Sequence, residues 1–117
     1  MTIEQTIFTA LSSLANSRVY PLIAPEKVAM PYIVYTKVAS VPENTLDGGA
    51  TIDLVRMQID IYESNYSLAK SLADSVRLEL EGLSIKATMQ SEFDFFETDL
   101  HIYRVSQDYL IWKRSSL

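Results

Sequence analysis

The side chains that could do chemistry are few, and their spacing decides what they can do. The chain has one histidine, His101, flanked by Asp99 and Tyr103, and no cysteine at all. A single histidine excludes a three-histidine zinc site, and no cysteine excludes disulfides, thiolate metal sites and thiol catalysis. A serine hydrolase would place its nucleophile in a sharp Gly-x-Ser-x-Gly turn, and no such turn is spelled here. The remaining candidates are carboxylates: Asp47 with Asp53, and the run Glu92, Asp94, Glu97 and Asp99. Acid–base work needs two carboxyls in different environments. Alternation along a strand instead puts Glu92 and Asp94 together on one face, read as solvated, with Phe93 and Phe95 on a packed face. The segment Glu43-Asn44-Thr45-Leu46-Asp47-Gly48-Gly49 lacks an oxygen ligand at every second position, as a calcium loop needs. The three glycines, Gly48, Gly49 and Gly82, cannot spell a dinucleotide fingerprint or a P-loop. The expectation is therefore no enzyme, no metal and no cofactor.

The charge balance agrees. Ten basic and fifteen acidic residues give a net charge of −5, the opposite of a nucleic-acid-binding surface. Four of the acids lie within residues 92–99, and the rest of the chain stands at −1. No apolar run reaches the ~18–20 residues that cross a bilayer, and no basic-then-apolar leader opens the chain, so a cytoplasmic site of synthesis and no membrane contact are expected.

The elements that must carry these residues follow from periodicity. Residues 3–15 place Ile3, Ile7, Phe8, Ala10, Leu11, Leu14 and Ala15 on one wide helical arc, with Thr2 and Gln5 as a capping box and Asn16 as the stop. Pro21, Pro25 and Pro31 make 19–31 an extended connector, with room for a short edge strand at its start. Residues 32–40 read as a strand ended by Pro42, and 42–50 as a loop. Thr51 to Glu63 alternates Val55, Met57, Ile59 and Ile61 against Arg56, Gln58, Asp60 and Tyr62, a half-buried strand. A second helix starts at Ser64 or Asn65, sets Tyr66, Ala69, Leu72, Ala73, Val76, Leu80 and Leu83 on one arc, pairs Lys70 with Asp74 and Arg77 with Glu81 on the outer side, and ends at Gly82. Two further strands, Ser84 to Phe96 and Asp99 to Lys113, form a hairpin. This order predicts one α+β domain over residues 1–117, with 113–117 as a flexible end. Its sheet is antiparallel with four to five strands, and both helices pack on one face.

That layout leaves apolar groups without cover. Leu78 falls opposite the buried stripe of the second helix, and Leu100, Leu110 and Trp112 fall on the sheet face the helices cannot reach. Five strand tyrosines, Tyr32, Tyr35, Tyr62, Tyr103 and Tyr109, suit either sheet packing or an interface. A second copy of the chain is the simplest cover, and self-association is expected.

The ordered segments Pro21-Leu22-Ile23-Ala24-Pro25, Pro31-Tyr32-Ile33-Val34-Tyr35, Gln58-Ile59-Asp60-Ile61-Tyr62, Tyr66 to Arg77 and Tyr103 to Tyr109 resemble the tail completion, or tail terminator, proteins of long-tailed phages and prophages. The resemblance spans roughly residues 1–112 and rests on order and spacing. It implies a small α+β subunit of the virion tail, assembled in the bacterial cytoplasm into a ring, a hexamer. The ring caps the tail tube, meets the tube protein on one side and the head-completion or connector protein on the other, and lets DNA pass without specific binding. In this picture Glu43, Leu46, Asp47, Leu78, Leu110 and Trp112 are the candidate contacts, and Glu92, Asp94, Glu97 and Asp99 an acidic lumen or rim. The alternatives are another neck or head-completion subunit, a small-molecule-binding domain with one deep apolar pocket, and an enzyme centred on His101.

Overall fold

The computed structural model describes residues 2–43 and 52–114. In chain order the elements are α1 (Ile3–Leu11), β1 (Val19–Pro21), β2 (Tyr32–Glu43), β3 (Ile52–Glu63), α2 (Tyr66–Glu81), β4 (Lys86–Glu97) and β5 (Ile102–Arg114). The five strands form one sheet in the order β1-β2-β3-β5-β4. The four long strands pair antiparallel, as expected. β1 pairs parallel with β2, which makes the sheet mixed. A chain that reaches β2 through the ten-residue connector 22–31 can enter from either direction, because only a tight hairpin forces antiparallel pairing.

Both helices lie on one face, and their buried stripes meet the odd-numbered residues of β5. Ile3, Ile7, Leu11, Ala69, Ala73, Val76 and Leu80 pack on Ile33, Tyr35, Val55, Met57, Ile59, Ile61, Val105, Tyr109 and Ile111. The caps follow the sequence. Thr2 and Gln5 form the reciprocal capping box, and the Asn65 side chain accepts from the Leu68 N–H at 3.0 Å. A single 3-10 turn at 12–15 leads to Asn16, whose φ of 50° is left-handed.

Four expectations are corrected. β2 runs through Pro42 to Glu43, opposite Asp53 and Ile52. β1 reaches only residues 33–35 of β2, so beyond them β2 is an edge, where a missing N–H costs no outer ladder bond. β5 begins at Ile102 rather than Asp99, and residues 98–101 are turn. His101 and Leu100 therefore sit in the hairpin turn. His101 has φ 55°, since a reversal this tight needs a left-handed residue. Lys113 and Arg114 lie in β5 opposite Asp53 and Ile52.

Twelve-residue strands run about 40 Å, whereas a 16-residue helix runs about 24 Å. The sheet therefore outruns its helices, and the protein measures 53 × 23 × 23 Å. Its radius of gyration is 15.2 Å, against about 13.4 Å for a compact chain of this length.

Candidate assembly surfaces

The two sheet faces divide the candidate residues. On the helix face, β4 sets Glu92 opposite Gln107 and Asp94 opposite Val105. The expected assignment is thus inverted: Glu92 and Asp94 turn toward α2, and Phe93 and Phe95 lie exposed on the open face. A register irregularity between Met89 and Ser91 carries the extra residue Gln90, and this sets the phase of the rest of β4. Lys70 reaches across from α2 to both carboxylates, at 2.9 Å from Glu92 and 3.0 Å from Asp94, instead of pairing with Asp74. The Tyr66 hydroxyl donates to Asp94 at 2.8 Å. Deeper in, the Gln107 amide donates to Glu92 at 2.8 Å and to the Ala73 carbonyl at 3.0 Å, and its oxygen accepts from the Tyr109 hydroxyl at 2.7 Å.

This network sets the local titration. Partial burial raises the Glu92 pKa, but hydrogen bonds from Gln107 and Lys70 and the ammonium charge outweigh it and hold it below the ordinary value. Asp94 is lowered first by its hydrogen bond from Lys70, against some desolvation. Lys70 is raised, because bonds and charge from both carboxylates together exceed its desolvation. Burial pushes the Tyr109 phenol up. Half of the acidic run is thus spent inside the subunit. Glu97 and Asp99 remain exposed at the tip of the β4–β5 hairpin. There His101 stands edge-on to Phe96, with ring centres 5.4 Å apart.

The open face is polar in its middle and apolar toward its ends. In the middle, Arg56 meets Asp108 at 2.7 Å, and Arg104 meets Asp60 at 3.1 Å. Asp60 is only 4% exposed and also accepts from the Gln58 amide at 2.8 Å. Toward one end, Leu54 pairs with Trp112 and Arg56 with Leu110. Lys86 lies 4.8 Å from the Trp112 ring centre. Toward the other, Tyr32 stacks on Tyr62 at 4.6 Å, and the Arg104 guanidinium lies over Phe95 at 5.0 Å. Part of this face is covered by the chain itself: residues 22–25 border an open cleft of about 410 Å³ with Tyr32, Tyr62 and Arg104. The proline-rich connector is thus a partial lid, which its composition did not reveal.

Of the other candidates, Leu78 is 75% exposed on α2 and Glu43 is exposed at the end of β2. Leu110 and Trp112 are half-buried on the open face. Leu46 and Asp47 lie outside the described residues. Missed from the sequence were Leu22 and Ile23, which looked like connector. The signal was available: two large apolar residues between prolines, where no amphipathic pattern could bury them.

The described residues thus combine a packed core crossed by one polar network with apolar side chains that nothing in the subunit covers. The sequence profile of the family described as "Tail completion protein gp17" matches residues 7–114. The chain belongs to this family. Its role is tail completion in a phage-type tail, and the family is one of structural, non-catalytic tail proteins. No curated protein matches the sequence. A chain from the virion of a native gene transfer agent (GTA) particle has the same fold: TM-score 0.69 at 12% identity, covering 97% of this chain and 95% of that one. Among the described residues, no group of histidines and acids is placed to hold a metal, and no helix is long and apolar enough to cross a membrane.

Proposed function

We infer that this tail-completion protein acts as a terminator: a ring of identical subunits, a hexamer, that caps the tail tube and joins it to the head connector. One observation carries the reading. Apolar surface stands on two separate sides of the fold, Leu78 on the outer side of α2 and Leu54, Leu110 and Trp112 on the open sheet face. A ring subunit needs two different patches that meet each other, since head-to-tail contacts alone generate rings. Glu43 at the projecting β2–β3 end suits an axial contact with the tube or connector protein. Glu97 and Asp99, the two acids not tied to Lys70, form an acidic rim. DNA passing such a rim is weakly repelled and slides rather than binds.

The test is native mass measurement of the protein alone and with tail tubes, with electron microscopy of the mixture. The reading expects a defined multimer, with rings at one end of each tube. A protein that stays monomeric and leaves both tube ends bare overturns it.

A further inference from the structure

A buried acid without a cation stands at one end of the helix layer. Glu63, the last residue of β3, is 8% exposed. Its Oε1 accepts from the Ser64 N–H at 2.7 Å and from the Ser64 hydroxyl at 3.1 Å. Among the described residues Oε2 has no hydrogen-bond partner, and no ion pair includes Glu63. Buried charges are ordinarily paired, and the other buried aspartate, Asp60, does have Arg104. Glu63 lies just ahead of α2, whose N-terminal end carries partial positive charge and so tolerates an acid there. No side-chain oxygen or nitrogen among the described residues is both buried and unpartnered, so Oε2 is open to its surroundings. Those surroundings are a groove of about 360 Å³ between the 3-10 turn and α2. Leu14, Pro31, Leu68 and Leu72 line it, with Ser71 and Ser75. Leu68 stands 57% exposed, with nothing in the subunit to cover it.

We propose that this groove is a socket for one lysine side chain of a partner protein, its stem along Leu14, Leu68 and Leu72 and its ammonium donating to Glu63 Oε2. Lysine has an apolar four-carbon stem and needs a strong acceptor only at its tip, and the groove offers apolar walls with one acid. Arginine fits less well: its planar fork matches both oxygens of a carboxylate, and Ser64 already holds Oε1. A metal ion needs several oxygen ligands, and among the described residues no second acid or histidine joins Glu63. A second copy is the poorer supplier. The chain carries −5, and Lys37, Lys70 and Lys86 are each held within their own subunit, by Glu4, by Glu92 with Asp94, and over the Trp112 ring. The socket does not rest on the ring reading, since it uses the first turn of α2 and Leu78 lies about 15 Å further along the helix.

The test uses Nα-acetyl-lysine N-methylamide as the probe, titrated into the isotope-labelled protein and followed by amide cross-peaks. Saturable shifts at Ser64, Leu68 and Leu72 are expected. The arginine analogue should bind about tenfold more weakly, and the norleucine analogue, the same stem without the charge, more weakly still. Glu63→Gln should abolish the shifts with an unchanged far-UV spectrum. Leu68→Asn, at an exposed position that leaves the core intact, should weaken them and keeps the test decisive if Glu63→Gln fails to fold. No saturable shift with the lysine probe overturns the socket, as does equal binding of the norleucine analogue or unchanged binding by either variant. Carbodiimide, which joins a carboxylate to an amine, is expected to give no Glu63 cross-link in the protein alone. A Glu63 linkage to Lys27 or Lys113 of another copy overturns the separate partner in favour of self-association.

Discussion

Replacing Gln107 with leucine tests whether the polar network beneath α2 is a structural necessity. Gln107 is 1% exposed, and its side chain serves three groups: the Tyr109 hydroxyl, the Glu92 carboxylate and the Ala73 carbonyl. Leucine has nearly the same volume, so no cavity complicates the result. The Ala73 carbonyl keeps its place in the helix ladder, and Glu92 keeps Lys70 and some access to water. Tyr109, wholly buried, loses its acceptor outright. Stranding a buried hydroxyl costs about 1–3 kcal/mol, and weakening a charged hydrogen bond adds to it, so the expected loss is about 3 kcal/mol. For a chain of this size 1 kcal/mol corresponds to about 4 °C, which predicts a fall of about 12 °C in Tm. The double variant Gln107→Leu/Tyr109→Phe removes the stranded hydroxyl and should regain about 1–2 kcal/mol, because deleting both partners is far milder than deleting one. The assay is urea and thermal unfolding by circular dichroism at two protein concentrations, which separates folding from self-association. A single variant within about 0.5 kcal/mol of wild type, or strictly additive effects in the double, refutes the reasoning.

The same network predicts the acid limb. Glu92 and Asp94 have lowered pKa values in the fold, so their stabilisation is present above the unfolded values of 4.5 and 3.8 and is lost as pH falls through the lowered folded ones. Stability should therefore drop below about pH 4.5, and Lys70→Met should flatten that slope in pH-dependent urea midpoints; an unchanged slope would sink the assignment. On the open face, Arg104→Leu strands the buried Asp60 carboxylate and should cost about 2–4 kcal/mol, more than Asp60→Asn, as read from denaturation midpoints. Leu78→Lys should leave Tm within about 2 °C, since nothing packs on that side chain within the subunit, while native mass measurement shows weakened self-association. Trp112 is the only tryptophan, so its emission reports the open face directly. It should shift to the blue when copies assemble, and a multimer with unshifted emission removes Trp112 from the contact.

The helix side of the fold was written into the sequence, because burial leaves a period. The capping box at Thr2 and Gln5, the stripe from Ala69 to Leu80, and the alternation of Val55, Met57, Ile59 and Ile61 each record which face meets the core. What escaped was set by single irregularities that no period carries. The extra residue at Gln90 reversed the faces assigned to Glu92 and Phe93, and thereby turned two supposed rim acids into partners of Lys70. A turn of four residues rather than two moved His101 off its strand. The parallel entry of β1 followed from where a long connector happened to dock, which composition does not specify. Uncovered apolar residues were legible where a period set them apart, as with Leu78 and Trp112, and invisible where the local sequence looked like plain connector, as with Leu22 and Ile23.

These irregularities bear on assembly through entropy. Joining subunits costs about 0.5–1.5 kcal/mol for each side chain that must be immobilised, and more where backbone must be ordered. Here both edges of the sheet are held within the subunit. β4 is tied to α2 by Lys70 at two carboxylates and by Glu81, which accepts from the Met89 N–H at 3.4 Å along its edge. The turn after β1 is tied to β2 through the Leu22 N–H. The strain held at Leu22 is of the order of 1–3 kcal/mol per chain. Leu22→Gly, which holds φ 68° without that cost, should therefore raise or preserve the Tm of the free protein, and a clear fall in Tm by circular dichroism would refute the strain at this turn.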